Sequence, residues 1–202
     1  MFSGLTVPII IITVLVSVPA FGNASFLNSL IFDPYEIKKK NQWYKFISSG
    51  FLHANFVHLA VNMFVLMSFG PLVEHFYNLN FGSVGMILYL ILYISSIAAA
   101  NITTYFKQQN NTDYRALGAS GAVSAILFAA VLFEPKREWY LYGIIEIPGY
   151  IAAGLYLLYS HYASRNTNDH INHDAHFYGA LYGIAFTLVC KPSLFLAFLN
   201  KF

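Results

Sequence analysis

Six stretches of the chain contain no Asp, Glu, Lys or Arg: 1–32, 46–73, 75–106, 116–133, 147–164 and 175–190. A helix needs ~20 apolar residues to cross the hydrocarbon of a bilayer, with a range of about 17–25. Five of the six windows meet this length. The sixth is short, but past Lys191 and Pro192 the chain continues as an apolar run from Ser193 to Leu199. Backbone groups in lipid must bond within their own segment, so helix is the default. The alternation of outer-membrane strands is absent. The pattern predicts an all-α membrane protein with six transmembrane helices, near 5–22, 53–75, 82–105, 117–133, 148–163 and 174–190. No internal repeat interrupts it and no stretch is long enough for a separate soluble domain, so residues 1–202 read as a single membrane domain.

The first window has no Lys or Arg before it. A cleaved signal peptide carries a basic n-region, so a retained first helix is expected. Residues 23–52 form the one long connection. Phe26, Leu27, Leu30, Ile31, Phe32, Trp43 and Phe46 alternate there with polar residues, beside Lys38, Lys39 and Lys40. Such a segment is expected to lie in the membrane interface, with its lysines reaching toward headgroups.

Composition narrows the class. Charged residues are 10% of the 202, hydrophobic residues 57%, and the mean hydropathy is +0.56. Soluble domains carry about 25% charged residues. A disordered chain, a nucleic-acid binder with a basic face and most soluble enzymes are excluded. The formal net charge of +2 implies no anionic partner. The lone Cys190 can form neither an intrachain disulfide nor a cysteine metal cluster. The 19 Phe, 15 Tyr and 2 Trp fit interfacial belts and lipid contact. With the N-terminus inside, four basic residues fall in inside loops (136, 137, 191, 201). Seven fall outside (38, 39, 40, 45, 107, 115, 165). The positive-inside rule favours the reverse orientation.

Polar groups inside a membrane are costly, and each is a functional-site candidate. The second helix holds His53, His58 and Asn62. The fourth opens with Leu117-Gly118-Ala119-Ser120-Gly121-Ala122. The sixth opens with His173-Asp174-Ala175-His176, followed by Gly179 and Gly183. In an up-and-down chain, helices two, four and six start on the same side of the membrane. His58, Ser120 and His176 can therefore meet at one depth. His58 and Asn62 are four apart and share a helix face. His176, Gly179 and Gly183 form one stripe. Gly121, Ala125 and Ala129 form a small-residue stripe on the fourth helix. Small stripes let transmembrane backbones approach closely. Packing through them would bring Ser120 and His176 within reach.

That convergence is what serine hydrolysis requires. A hydroxyl needs a positioned base to become a nucleophile, and imidazole titrates near neutrality. The tetrahedral intermediate needs donors aimed at its oxyanion. Ser120 at a helix start has unpaired backbone N–H groups beside it, and His58 and Asn62 can add side-chain donors. Gly118 and Gly121 permit close passage of a substrate backbone. The short fourth and sixth windows place these residues below the membrane surface, in a recess that water can enter.

The combination of His53-x4-His58-x3-Asn62, Gly118-Ala119-Ser120-Gly121 and Ala175-His176-x2-Gly179-x3-Gly183 resembles the rhomboid intramembrane serine proteases. Gly70-Pro-Leu-Val-Glu74 and Trp43 resemble that family too, over roughly 43–190. The resemblance implies a six-helix rhomboid fold and a Ser120–His176 catalytic dyad. It implies an oxyanion hole from the Ser120 N–H, His58 and Asn62, with no metal or cofactor. Its substrates would be single-pass membrane proteins whose helix unwinds near one end, met among membrane lipids and without nucleic acid. The minimal size implies a bacterial plasma membrane protein whose active site opens on the extracytoplasmic side. Three positions depart from the family pattern. Ser124 stands where an aromatic residue often packs on the catalytic histidine, Tyr44 follows Trp43 where Arg is usual, and His75 follows Glu74 where a basic residue is common.

Two other classes compete. A catalytically silent relative that escorts transmembrane helices usually lacks the nucleophile or the histidine, and both are present. A small transporter would show paired intramembrane acids and inverted halves, and neither occurs. No His-Glu-x-x-His run supports a metalloprotease. His53 is expected to order the first loop or a water. Asp174, two residues from His176, points away from it on a helix and reads as structural or loop-solvating. Glu74 is expected to anchor the end of the second helix. Glu146 is expected at the interface, and His161 and His170 are expected to be interfacial.

Overall fold

The computed structural model describes residues 4–141, 144–166 and 171–202. It is mainly helical. Helix α1 spans Thr6–Ala20, and the long connection folds into α2 (Ala24–Leu30), α3 (Pro34–Lys40) and α4 (Lys45–Ser48). Then come α5 (Phe56–Phe81), α6 (Gly85–Gln108) and α7 (Ser120–Phe133). A hairpin of β1 (Glu138–Leu141) and β2 (Ile145–Pro148) leads into α8 (Gly149–Asn166), α9 (His173–Cys190) and α10 (Ser193–Leu199). His170 lies outside the described residues.

The six expected helices correspond to α1, α5, α6, α7, α8 and α9, with shifted ends. The second helix runs six residues past its expected end at 75. Pro71 sits inside it without stopping it, and Gly82, at φ 58, ends it. Glu74 therefore does not close this helix. It is buried in the middle, and the start of α1 docks on it. The Thr6 N–H donates to Glu74 Oε1 at 2.5 Å and the Thr6 hydroxyl to the same oxygen at 2.8 Å. Tyr89 from α6 joins through a 2.7 Å contact to the Thr6 hydroxyl.

Helix lengths differ in a way that matters for the bilayer. The stretch Phe56–Gln108, which contains α5 and α6, is long and apolar enough to cross, at mean hydropathy 2.0. At 1.5 Å per residue these two helices measure about 39 and 36 Å, against ~30 Å of hydrocarbon. Helix α9 qualifies only together with α10, which turns from it by 114°. Helices α1 and α7 are apolar but short, and α7 measures about 21 Å.

Helix α7 is the centre of the fold. Every residue in it except Ser120 and Leu127 is buried, and it packs on α5, α6 and α9. Its seam with α9 uses the two small-residue stripes. A Cβ on Gly179 would fall on the Gly121 carbonyl oxygen, and one on Gly183 on the Ala125 carbonyl oxygen. The two backbones touch there, and only glycine permits it.

The long connection is more structured than an interfacial loop. Asp33 caps α3 by accepting from the Glu36 N–H at 2.9 Å, with Pro34 in the first turn. Phe32, fully buried, pairs in antiparallel fashion with Ala116 just before α7. Asp33 also meets Arg115 at 3.2 Å. Trp43 stays half exposed while stacking on Phe46 and meeting Tyr105 at a tilt. Lys45 is not at the headgroups. It is buried and donates to the Asn28 carbonyl at 3.1 Å, and burial holds its pKa below the ordinary lysine value.

The hairpin departs from the strandless reading. Glu138–Leu141 and Ile145–Pro148 pair in antiparallel register, Trp139 opposite Ile147 and Tyr140 opposite Glu146. This segment lies between the apolar windows, where short alternation can fold outside the helices. Trp139 packs on Phe69 with ring centroids 4.9 Å apart. Glu146 is thus a strand residue, and Pro148 ends the strand next to Gly149 at the start of α8.

Candidate active site

One cleft of about 1220 Å³ gathers the polar residues at the starts of α5, α7 and α9. Ser120, Ser124 and Leu127 of α7, His58 and Asn62 of α5, Tyr156 of α8 and His176 of α9 all line it. The two unburied residues of α7 are both on this wall.

The turn before Ser120 is held from two sides. The Gly118 N–H donates to the Ser49 carbonyl at 3.1 Å. The Ala119 N–H points at His53 Nε2, 3.5 Å away. His53 Nδ1 lies 2.9 Å from the Ser17 hydroxyl, which itself donates to the Phe51 carbonyl at 2.8 Å. This pattern is satisfied when Nδ1 carries the proton and Nε2 accepts. His53 therefore joins α1 to the residue preceding Ser120, a larger task than ordering the first loop. Gly118 has φ 128, a conformation that disfavours any side chain. A Cβ there would lie 2.9 Å from His58 Cε1 and 3.7 Å from the Ser120 hydroxyl. The His58 ring thus passes directly over the turn that presents Ser120.

His58 stands in the first turn of α5, where Asn55 caps its N–H at 2.8 Å. The Ala54 N–H approaches His58 Nδ1 at 3.4 Å. With Nδ1 accepting, the ring proton belongs on Nε2, the nitrogen over Gly118. Asn62, buried one turn on, donates one amide hydrogen to the His58 carbonyl at 2.9 Å. Its Nδ2 carries a second hydrogen.

His176 is in the first turn of α9. The seam puts it next to the helix that begins at Ser120, because a Cβ on Gly121 would lie 3.3 Å from the Ala175 carbonyl oxygen. The residue after Ser120 thus touches the residue before His176. A polar stripe on α6, Asn101, Thr104 and Lys107, secures this helix start. Thr104 donates to Asn172 Oδ1 at 3.1 Å, and Asn172 Nδ2 donates to Asn101 Oδ1 at 3.3 Å. The same Asn172 oxygen caps α9 by accepting from the Ala175 N–H at 3.1 Å. Lys107 pairs with Asp174 at 2.6 Å. Asp174 is thus a structural tie to α6, as its spacing from His176 implied.

Ser124 is buried, and its hydroxyl lies 2.6 Å from the Tyr156 hydroxyl. The Tyr156 ring stacks on His176 with centroids 6.4 Å apart and planes at 14°. His161 packs on Phe177. Among the described residues no three His, Cys, Asp or Glu side chains gather closely enough to hold a metal ion.

The Rhomboid domain profile matches residues 40–193. The chain belongs to the rhomboid family. It is 32% identical to Rhomboid-like protein 11, chloroplastic, of Arabidopsis thaliana, over 70% of this chain and 50% of that one. It is 28% identical to YdcA of Bacillus subtilis (strain 168), provisionally named a rhomboid protease, over 74% of this chain and 68% of that one. RHOMBOID-like protein 12, mitochondrial, of A. thaliana is 27% identical over 59% and 38%. The chain spans about half the length of the first of these relatives. Rhomboids are integral membrane proteins, and this helical chain is one of them.

Within this rhomboid, the eight residues of the expected dyad, oxyanion hole and glycine motifs lie at the cleft or in the α7–α9 seam. Ser120, His176, His58 and Asn62 line the cleft, Gly118 shapes its turn, and Gly121, Gly179 and Gly183 form the seam. Sequence reasoning missed Tyr156 and the Asn101, Thr104 and Lys107 stripe. The stripe was detectable, since its three-residue spacing marks one helix face in an otherwise apolar window. Tyr156 carried no signal, because tyrosine is abundant throughout the chain.

Proposed function

We propose that this rhomboid is an intramembrane serine endopeptidase acting on single-pass membrane-protein substrates. The observation that carries the reading is the shared cleft, lined by Ser120 and His176 from abutting helices and by His58, whose ring lies over the turn before Ser120. His176 takes the Ser120 proton as the hydroxyl oxygen attacks the scissile carbonyl. The oxyanion is received by the Ser120 N–H, His58 Nε2–H and the second Asn62 hydrogen. Collapse of this intermediate breaks the C–N bond. His176 gives its proton to the leaving amine, and an acyl-enzyme remains on Ser120. Water, deprotonated by His176, then attacks the ester and releases the second product. The proton passes between Ser120 and His176 throughout, while Asp174 is committed to Lys107.

In this reading α1, α5, α6, α7, α8 and α9 are six membrane crossings. The short α7 holds Ser120 below the membrane surface, where the cleft admits water. The membrane is a bacterial plasma membrane with the cleft on the extracytoplasmic side. The basic excess at that end is largely engaged in the fold. Lys40 pairs with Glu36, Lys107 with Asp174 and Arg115 with Asp33, and Lys45 is buried.

The test is cleavage of a model transmembrane substrate in liposomes, with fluorophosphonate labelling of the enzyme. Ser120→Ala is expected to lose at least ~10⁴-fold in rate and all labelling while keeping its melting temperature. Cleavage that persists in this variant overturns the assignment. A chain that binds substrate helices without labelling or cleaving them is the silent escort.

A further inference from the structure

We infer that Tyr156 is a positioning residue for His176, anchored by Ser124, and that α8 thereby sets the orientation of the base. This rests on the protease reading. The α7–α9 seam fixes the backbone beside His176 but not its ring. The half-buried imidazole lies on the wall of the 1220 Å³ cleft, so its orientation depends on the side chains that touch it. A base must hold its nitrogen near the hydroxyl it deprotonates, and small misplacements cost large factors in rate.

The Tyr156 ring restrains that motion. It lies nearly parallel to the imidazole, at 14°, with an offset centroid separation of 6.4 Å, within the range of favourable stacking. Its far end is tied by the 2.6 Å contact to the Ser124 hydroxyl. Ser124 is one helical turn after Ser120 on the most buried helix of the fold. A path of contacts therefore runs from the nucleophile's helix, through a hydroxyl pair and a ring, to the base. On its other flank His176 meets His173 edge-on at 5.8 Å, and His173 in turn meets Tyr159 of α8 at 5.6 Å. One of these rings, Tyr156, stands on α8, and the other, His173 of α9, is braced by Tyr159 of α8.

Helix α8 is the least embedded of the long helices. It rests mainly on α9 and buries only Gly149, Ala153, Ser160 and Ala163. Displacement of α8 would carry the ring away from His176, so anything that moves this helix also perturbs the base. Tyr156 also packs on Phe128 at 5.7 Å, which gives it a structural share that the test must separate.

The separating readout is the rate of fluorophosphonate labelling at Ser120, since that small probe needs the base but no substrate helix. It is measured on the full chain in liposomes beside kcat and KM for a model transmembrane substrate. Tyr156→Phe keeps the ring but loses its tie to Ser124, and is expected to slow labelling about threefold, as Ser124→Ala does. Tyr156→Leu keeps apolar bulk, and its labelling and kcat are expected to fall about tenfold or more with KM nearly unchanged. Ser124→Ala frees the ring and is expected to slow labelling about threefold. Labelling of Tyr156→Leu at the wild-type rate overturns the positioning role and leaves the protease reading intact. Should Tyr156→Leu not fold, Ser124→Ala decides, and a wild-type rate there overturns the inference. Absence of wild-type labelling, with cleavage persisting in Ser120→Ala, overturns the protease reading itself.

Discussion

On α7 twelve of fourteen residues are buried, whereas α8 buries four of eighteen, although both helices line the same cleft. Helix α7 is locked by backbone contact at Gly121 and Ala125, and Ser120 sits on its first turn. Helix α8 contributes Tyr156 to the same cavity but turns Leu155, Leu158, Tyr159 and Tyr162 outward. Two kinds of support follow from this difference. Ser120 stands on an element that cannot shift without unpacking the core. The ring beside His176 stands on an element that can.

This contrast can be broken at matched positions. The largest effect is expected in the seam. Gly179→Ala drives a methyl into the Gly121 backbone and is expected to cost about 3 kcal/mol or more, read as a lower unfolding temperature in detergent. The same change at Gly154 on α8 meets nothing within 4 Å and is expected to be neutral or slightly stabilising. Equal costs at the two sites would erase the distinction between the walls.

Glu74→Gln comes next. It removes a buried carboxylate that accepts from the backbone and hydroxyl of Thr6. A loss of about 2 kcal/mol is expected, with α1 released first, visible as faster proteolysis near its start. Protection unchanged at that end would show that α1 is held by packing alone. The smallest effect belongs to Lys107→Ala. Its pair with Asp174 is more than half exposed on the lysine side, so a loss under about 1 kcal/mol is expected, shrinking further in high salt. A larger cost would mean that the start of α9 depends on this ion pair more than on the Asn172 cap.

Much of the site was legible before any coordinates. Gly179 and Gly183 at four-residue spacing, facing Gly121 and Ala125, foretold a close seam because only small residues let two backbones touch. The parity of the helices foretold that His58, Ser120 and His176 share one end. Helix ends were read less well. Charge gaps mark where lipid is tolerated, not where hydrogen bonding stops. That is why α5 runs past Glu74 to Gly82 and why the fourth helix starts at Ser120 itself. The burial of Lys45 was not legible either, because a lysine in a polar-looking loop gives no sign that Asn28 will offer it a buried carbonyl.

From residue order alone came the class of solvent, the number of apolar segments and the residue types able to do acyl-transfer chemistry. These depend on composition and period, which are local properties of the chain. Three-dimensional packing decided that Glu74 holds α1, that His53 braces the turn at Ala119, and that Tyr156 rather than a residue at 124 lies on His176. Each of these joins groups far apart in sequence, and neither end carries a mark of its partner. Such contacts exist only once helices have chosen neighbours and rotations, a choice made by the whole set of seams together.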